Sequence, residues 1–137
     1  MRTVEPPQQP IELIQTRGLM SNLTTPAFLV DMEGNLVFFN DAAGDLLGLR
    51  YEEAGTMGPQ EWGTRFEPLR EDGSPFPVDH LPLSVALSRN RPSHERMRIR
   101  SITGVDAEIE VCAFPITGTE GTRGALAIFW LLGRDAP

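Results

Sequence analysis

Phe28-Leu29-Val30-Asp31-Met32-Glu33-Gly34-Asn35-Leu36-Val37-Phe38-Phe39-Asn40-Asp41-Ala42-Ala43 decides how the rest of the chain is read. Ala27 to Met32 has the apolar, β-branched character of a short strand. Glu33-Gly34-Asn35 is a tight turn, because Gly34 tolerates positive φ. Leu36 to Phe39 returns as the second strand. A lone two-stranded hairpin is at best marginally stable in water, so this pair predicts a larger sheet. Asn40 then ends the strand with a side chain suited to accept from the free amides of a new helix. Ala42, Ala43, Leu46 and Leu47 carry helical spacing, Asp41 and Asp45 sit toward its favourable end, and Gly48 supplies a left-handed stop.

Outward toward the C-terminus, residues 50–77 hold glycines and prolines at Gly55, Gly58, Pro59, Gly63, Pro68, Gly73, Pro75 and Pro77. They predict short turns and loops anchored by Trp62 and Phe66, with Asp72-Gly73 as a turn. A helix is expected to about Ser88, capped by Asp79, with Pro82 in its first turn and Leu83, Ala86 and Leu87 on one face. Asn90-Arg91-Pro92 ends it. Three strands follow, at about 94–102, 107–115 and 123–132. In the first, Arg96, Arg98 and Arg100 alternate with Met97 and Ile99. In the second, Glu108 and Glu110 alternate with Ile109 and Val111. Period two implies one wet face and one buried face, and the arginines match the glutamates if the strands pair as a hairpin. Gly118, Gly121 and Gly124 read as the turn into the last strand. That strand is apolar on both sides, with Ala125, Ala127, Phe129 and Leu131 against Leu126, Ile128, Trp130 and Leu132. A central strand covered on both faces reads this way.

Toward the N-terminus, residues 1–10 read as a flexible leader with Pro6, Pro7 and Pro10. Residues 11–24 read as a cap or dimerisation helix, apolar at Ile11, Ile14, Leu19 and Leu23 and widened by Leu13 and Met20. Residues 25–132 then form the domain proper, and 133–137 a flexible tail.

Composition narrows the function classes. A chain of 137 residues suits one domain. Its formal charge of −7 argues against a nucleic-acid groove, which needs a positive field. The single cysteine, Cys112, allows no internal disulfide. It fits a reducing compartment, and a cytoplasmic location is expected. No apolar run reaches the ~18 residues of a membrane span, and Met1 to Pro10 does not read as a signal peptide.

The element order, the hairpin with its asparagine-capped helix, and Leu46-Leu47-Gly48 together resemble a PAS domain, the sensory module of many bacterial signalling proteins. Asp72-Gly73-Ser74-Pro75 followed by Asp79-His80-Leu81-Pro82-Leu83 resembles a variant found in bacterial members. Gly124-Ala125-Leu126-Ala127 resembles the start of the family's last strand. The likeness runs from about Pro26 to Leu132. Asp41 stands where proline is frequent. Gly44 stands where glutamate is common, which weakens a helix-surface salt bridge. After Leu132 the aspartate-threonine connector of many relatives is absent, which fits either a free-standing protein or part of a longer one. The resemblance implies an α+β fold, in which a five-stranded antiparallel sheet curves around a pocket and short helices lie on the concave face. Members bind flavin, haem, small acids, lipids or nothing, and many dimerise through the helix before the first strand.

The residues constrain which of these chemistries this chain carries. The light-sensing branch needs a cysteine on a helix beside its flavin, and Cys112 falls on a strand. Haem needs an axial ligand, most often histidine; His80, at the start of the helix facing the pocket in the family fold, is the candidate, and His94 reads as surface. Two separated histidines lack zinc spacing, and no phosphate-binding loop occurs. No nucleophile, base and orienting group converge, so the chain is read as not an enzyme. No cofactor is assigned. The pocket candidates are Phe28, Val30, Leu36, Phe38, Leu47, Leu83, Leu87, Ile109, Val111, Ala127 and Phe129, and close packing favours a filled or small apolar cavity. The expected role is a non-catalytic sensory module that forms a homodimer or regulates a partner, whether a signalling protein or a fused output domain. A small apolar ligand is compatible with its pocket. The alternatives are a ligand-free association scaffold and a haem sensor using His80. Neither nucleic acid nor membrane is expected as a partner.

Overall fold

Asn40 shows why the opening stretch organises the chain. Its Oδ1 accepts from the amides of Ala43 at 3.0 Å and Ala27 at 3.1 Å, while Nδ2 donates to the carbonyls of Thr25 at 2.9 Å and Met20 at 3.1 Å. One buried side chain thus caps a helix, fixes a strand and ties down the segment before it. The computed structural model describes residues 10–100, 104 and 106–132. The leader expected at 1–10, apart from Pro10, and the tail at 133–137 lie outside these residues.

The strands are β1 (Ala27–Asp31), β2 (Leu36–Phe39), β3 (Ser93–Arg100), β4 (Asp106–Gly118) and β5 (Gly121–Leu131). The helices are α1 (Ile11–Met20), α2 (Asp41–Leu47), α3 (Tyr51–Ala54), α4 (Pro59–Arg65) and α5 (Pro82–Arg89), with a 3-10 turn at Val78–His80. All five strands form one antiparallel sheet in the order β2-β1-β5-β4-β3. β5 is therefore central. The larger core, with Leu47, Trp62, Phe66, Leu83 and Phe129, lies on the inner face beneath α2, α4 and α5. A smaller core of Leu13, Met20, Leu29, Phe38 and Leu126 lies on the outer face beneath α1.

Several local expectations meet the structure directly. Gly48 adopts φ +76° at the end of α2, as its place after Leu47 requires. Arg96, Arg98 and Arg100 face Glu110, Glu108 and Asp106 in register, with charged atoms 3.9, 3.3 and 2.9 Å apart. Trp62 is buried and donates from Nε1 to the Gly34 carbonyl at 2.8 Å, pinning α4 to the first hairpin. Gly44, which departs from the family pattern, has a packing reason: a Cβ there would meet the Leu49 carbonyl oxygen at 2.6 Å. The surface ion pair is kept by other residues, since Arg50 reaches Asp45 at 3.3 Å and Asp41 at 3.8 Å.

Other expectations are corrected. Asp79 does not cap α5. The residue before a proline is held extended, so Leu81 (ψ 148°) is the N-cap and the helix begins at Pro82. Asp79 is instead an exposed residue of the 3-10 turn. Gly124 is no turn residue. It lies within β5, where a Cβ would strike the Val30 carbonyl oxygen and come within 2.9 Å of Leu13 Cδ2. Glycine in a strand here marks the close approach of α1. The apolar set on α1 also divides differently. Leu13 and Met20 are buried, two turns apart, whereas Ile11, Ile14 and Leu19 are 62%, 47% and 60% exposed. Finally, α1 covers only part of the outer side of β5. Leu126 is buried beneath it, but Trp130, farther along the same side, stays in contact with water; Leu131, also exposed, lies at the end of the strand on the opposite side.

Candidate functional site

Between the inner face of the sheet and α5 lies a cavity of about 70 Å³. Its position follows from strand parity. Phe28 on β1, Met97 and Ile99 on β3, Ile109 and Val111 on β4, and Ala127 and Phe129 on β5 all point inward. Phe28 packs edge-on against Phe129 at 5.2 Å between ring centroids, which closes one end. Leu47 from α2, Trp62 and Phe66 from the α4 region, and Leu81, Pro82 and Leu83 at the start of α5 close the other side, with Pro68.

Of the sequence candidates, Phe28, Leu47, Leu83, Ile109, Val111, Ala127 and Phe129 line this cavity. Val30 and Leu36 are fully buried in the same core without lining it, and Leu87 packs partly buried at its margin. Phe38 is a correction: it belongs to the outer core beneath α1. The reason is a bulge. Leu29 pairs with Phe38 but Val30 pairs with Leu36, so Val37 is an extra residue and alternation fails across it. Leu36 and Phe38 therefore face opposite ways, and Phe39 turns inward against Phe28. Met97 and Ile99 were readable as lining from their alternation with the β3 arginines. Pro68 and Leu81 carried no periodic signal.

His80 is also corrected. Its side chain is exposed on the 3-10 turn, with Nδ1 3.0 Å from an Arg70 guanidinium nitrogen, and it takes no part in the cavity wall. Cys112 pairs with His94 and Ile128 in the sheet; it shares the parity of Glu110, so it lies on the face away from the cavity. Among the described residues, no group of three or more His, Cys, Asp or Glu side chains is placed to hold a metal ion. No helix among them is long and apolar enough to cross a membrane.

The chemistry of the cavity is limited to dispersion and dehydration, because every lining residue is apolar. An apolar cavity of about 150 Å³ stays dry and binds benzene. This one is about half that size, so it accommodates a species of only a few atoms with no hydrogen-bonding need. Haem or a flavin ring would require the core to open.

The PAS fold family matches residues 15–130. This chain belongs to the PAS family. Solved structures agree on the fold. The PAS domain of a protein from Colwellia psychrerythraea is 20% identical, with a TM-score of 0.64, covering 90% of this chain and 98% of that one. The LOV protein of Rhodobacter sphaeroides is 18% identical, with a TM-score of 0.70, covering 91% and 70%. The PAS domain of nitrogen regulation protein NR(II) from Vibrio parahaemolyticus is 14% identical, with a TM-score of 0.61, covering 85% and 97%. A comparison with curated proteins gives no match. In a PAS domain, the cavity between α5 and the sheet is the interior of the sensory fold, and α1 is the helix that precedes it.

Proposed function

We propose that this PAS domain is a non-catalytic sensory and relay module that pairs with a second copy through α1 and passes its state to an output domain, fused or separate. The observation that carries this reading is the division of α1. Two residues, Leu13 and Met20, are buried on the sheet, while Ile11, Ile14 and Leu19 are left in water. Burying apolar surface is worth about 25 cal/mol per Å², so a helix with this much apolar side chain outside gains from a partner. Trp130, 36% exposed on the same outer face of the sheet, extends the apolar surface beyond the helix. The Vibrio relative comes from a nitrogen regulation protein, consistent with a relay role. The cytoplasm suits a chain whose one thiol, Cys112, is free.

The cavity supports two versions of this function. In the first, a very small apolar ligand occupies it and changes the packing of α5. In the second, the domain is a ligand-free association scaffold, and the small size of the cavity favours this version. Native mass spectrometry of freshly purified protein separates them, since retained mass supports a ligand.

Light scattering after size exclusion tests the pairing. The expected result is a dimer at micromolar concentration that Leu19→Glu converts to a folded monomer. A strict monomer up to high micromolar concentration overturns the reading.

A further inference from the structure

On the outer face, α1 and the β2 edge enclose a groove of about 390 Å³, separate from the inner cavity. It lies within the size range of small-molecule sites, roughly 300–1,000 Å³. Leu13 and Leu29 are buried at its base, Ile14 and Val37 line it, and Tyr51 and Thr56 bring hydroxyl groups. Among the described residues, its one charged lining residue is Arg17. The Arg17 guanidinium lies 4.4 Å from the centroid of the Phe38 ring and 5.5 Å from that of Tyr51. Stacking holds a guanidinium by its face and leaves the N–H donors on its edge available.

Those donors have no carboxylate partner among the described residues, unlike Arg50, Arg65, Arg98, Arg100 and Arg123, each of which has one. Glu12, the acid on the same helix, turns to the other flank and meets Arg123 at 3.7 Å. Leu19 lies seven residues beyond Glu12, about two turns, so it stands on that far flank too. Of the exposed residues argued above for pairing, Leu19 is therefore apart from this groove, while Ile14 lies on its rim. What remains is an apolar trough with a pre-positioned cation that no described carboxylate meets.

We propose that this groove binds a free amphipathic carboxylate of medium chain length. The carboxylate would take the fork of Arg17, a geometry guanidinium matches with two parallel hydrogen bonds. The chain would lie along Leu13, Leu29 and Val37. The groove offers no partner for a charge on the tail, because among the described residues Arg17 is the one charged group lining it.

Titration of the full chain with sodium octanoate, followed by amide NMR, tests this. Saturable shifts are expected at Leu13, Val37 and Thr56, with half-saturation at about 1 mM for a ligand of this size. Octanol, which keeps the tail and lacks the charge, is expected to bind at least about tenfold more weakly, and Arg17→Gln to weaken octanoate by a similar factor. If that variant misfolds, the octanoate and octanol comparison on the unaltered chain decides alone. Shifts confined to Leu83, Met97 and Ile109, equal binding of octanol, unchanged affinity in folded Arg17→Gln, or no saturation would each overturn the proposal.

Discussion

The two faces of the sheet are built by different rules. The inner face is closed by four separate contributions, from α2, the α4 region, the 3-10 turn and α5, and its apolar residues share one continuous core. No single one of them carries the whole interior. The outer face depends on one helix, α1, held by two buried residues and by a glycine that lets it approach. Beyond that helix the outer face turns to paired charges on β3 and β4 and to the half-open Trp130. A redundant inner layer suits a stable scaffold. A singly held outer layer is where a cooperative domain opens first, and a relay needs some element of low local stability.

Asn40 joins the two faces, and changing it gives the largest expected effect. Its oxygen serves the inner side through Ala43 and the sheet through Ala27, and its nitrogen holds the C-terminal turn of α1 through the Met20 carbonyl. Asn40→Asp keeps the acceptor and replaces the donor with a charge facing two carbonyls. It is expected to destabilise the domain by about 3 kcal/mol, from lost and repelled buried hydrogen bonds. Denaturant unfolding measures the total, and hydrogen exchange locates it. Protection should fall first across Ile11–Met20 while α2 stays protected. Equal loss in both helices would show that the two faces do not open separately.

That same asparagine explains what was legible. The hairpin, the cap and the stop at Gly48 are local devices, in which each residue acts on neighbours a few positions away. The sequence states them directly. The ladder of Arg96, Arg98 and Arg100 against the β4 acids was legible for a related reason, since a period of two needs only the strand itself. Phe38 was not legible, because a bulge at Val37 depends on how β1 and β2 meet and leaves no mark in the alternation. The faces of α1 were not legible either. The helix expected over 11–24 carries six large apolar residues, Ile11, Leu13, Ile14, Leu19, Met20 and Leu23, which offer several stripes; α1 ends at Met20, and the sheet's geometry selects only the stripe containing Leu13 and Met20. The cavity was half legible: strand parity gives its sheet wall, whereas Pro68, Leu81 and the place of His80 depend on loops of irregular backbone.

The inner face can be tested by filling rather than removing. Ala127 is buried on β5 and lines the cavity. Ala127→Val adds two methyl groups toward about 70 Å³ of apolar space and a β-branched side chain to a central strand. The expected result is a gain of about 1 kcal/mol in unfolding free energy, with loss of any binding of xenon, whose size suits a cavity of a few atoms. A loss of stability instead would mean that the walls already meet when α5 settles. The inner face would then be tighter than its geometry indicates, and the ligand-free version of the function would be strengthened.

The smallest effect belongs to the charged end of the outer face. Asp106 has a carboxyl pKa held below its ordinary value, chiefly by the hydrogen bond from Arg100 and then by the Arg100 charge. The folded pKa is lower than the unfolded one, so the folded state favours the ionised form. The stabilisation is present above the unfolded value, near pH 4, and is lost as pH falls through the depressed folded value. Asp106→Asn removes this dependence. Unfolding curves of the two proteins should therefore differ near neutral pH and converge in strong acid, with the difference reduced by added salt because the pair is exposed. A difference that persists unchanged into acid would point to the amide's own packing or turn preference rather than to the charge. It would remove the Arg100–Asp106 charge pair from the account of why β3 and β4 keep their register, leaving that to the Arg96–Glu110 and Arg98–Glu108 pairs and to Met97 and Ile99 on the inner face.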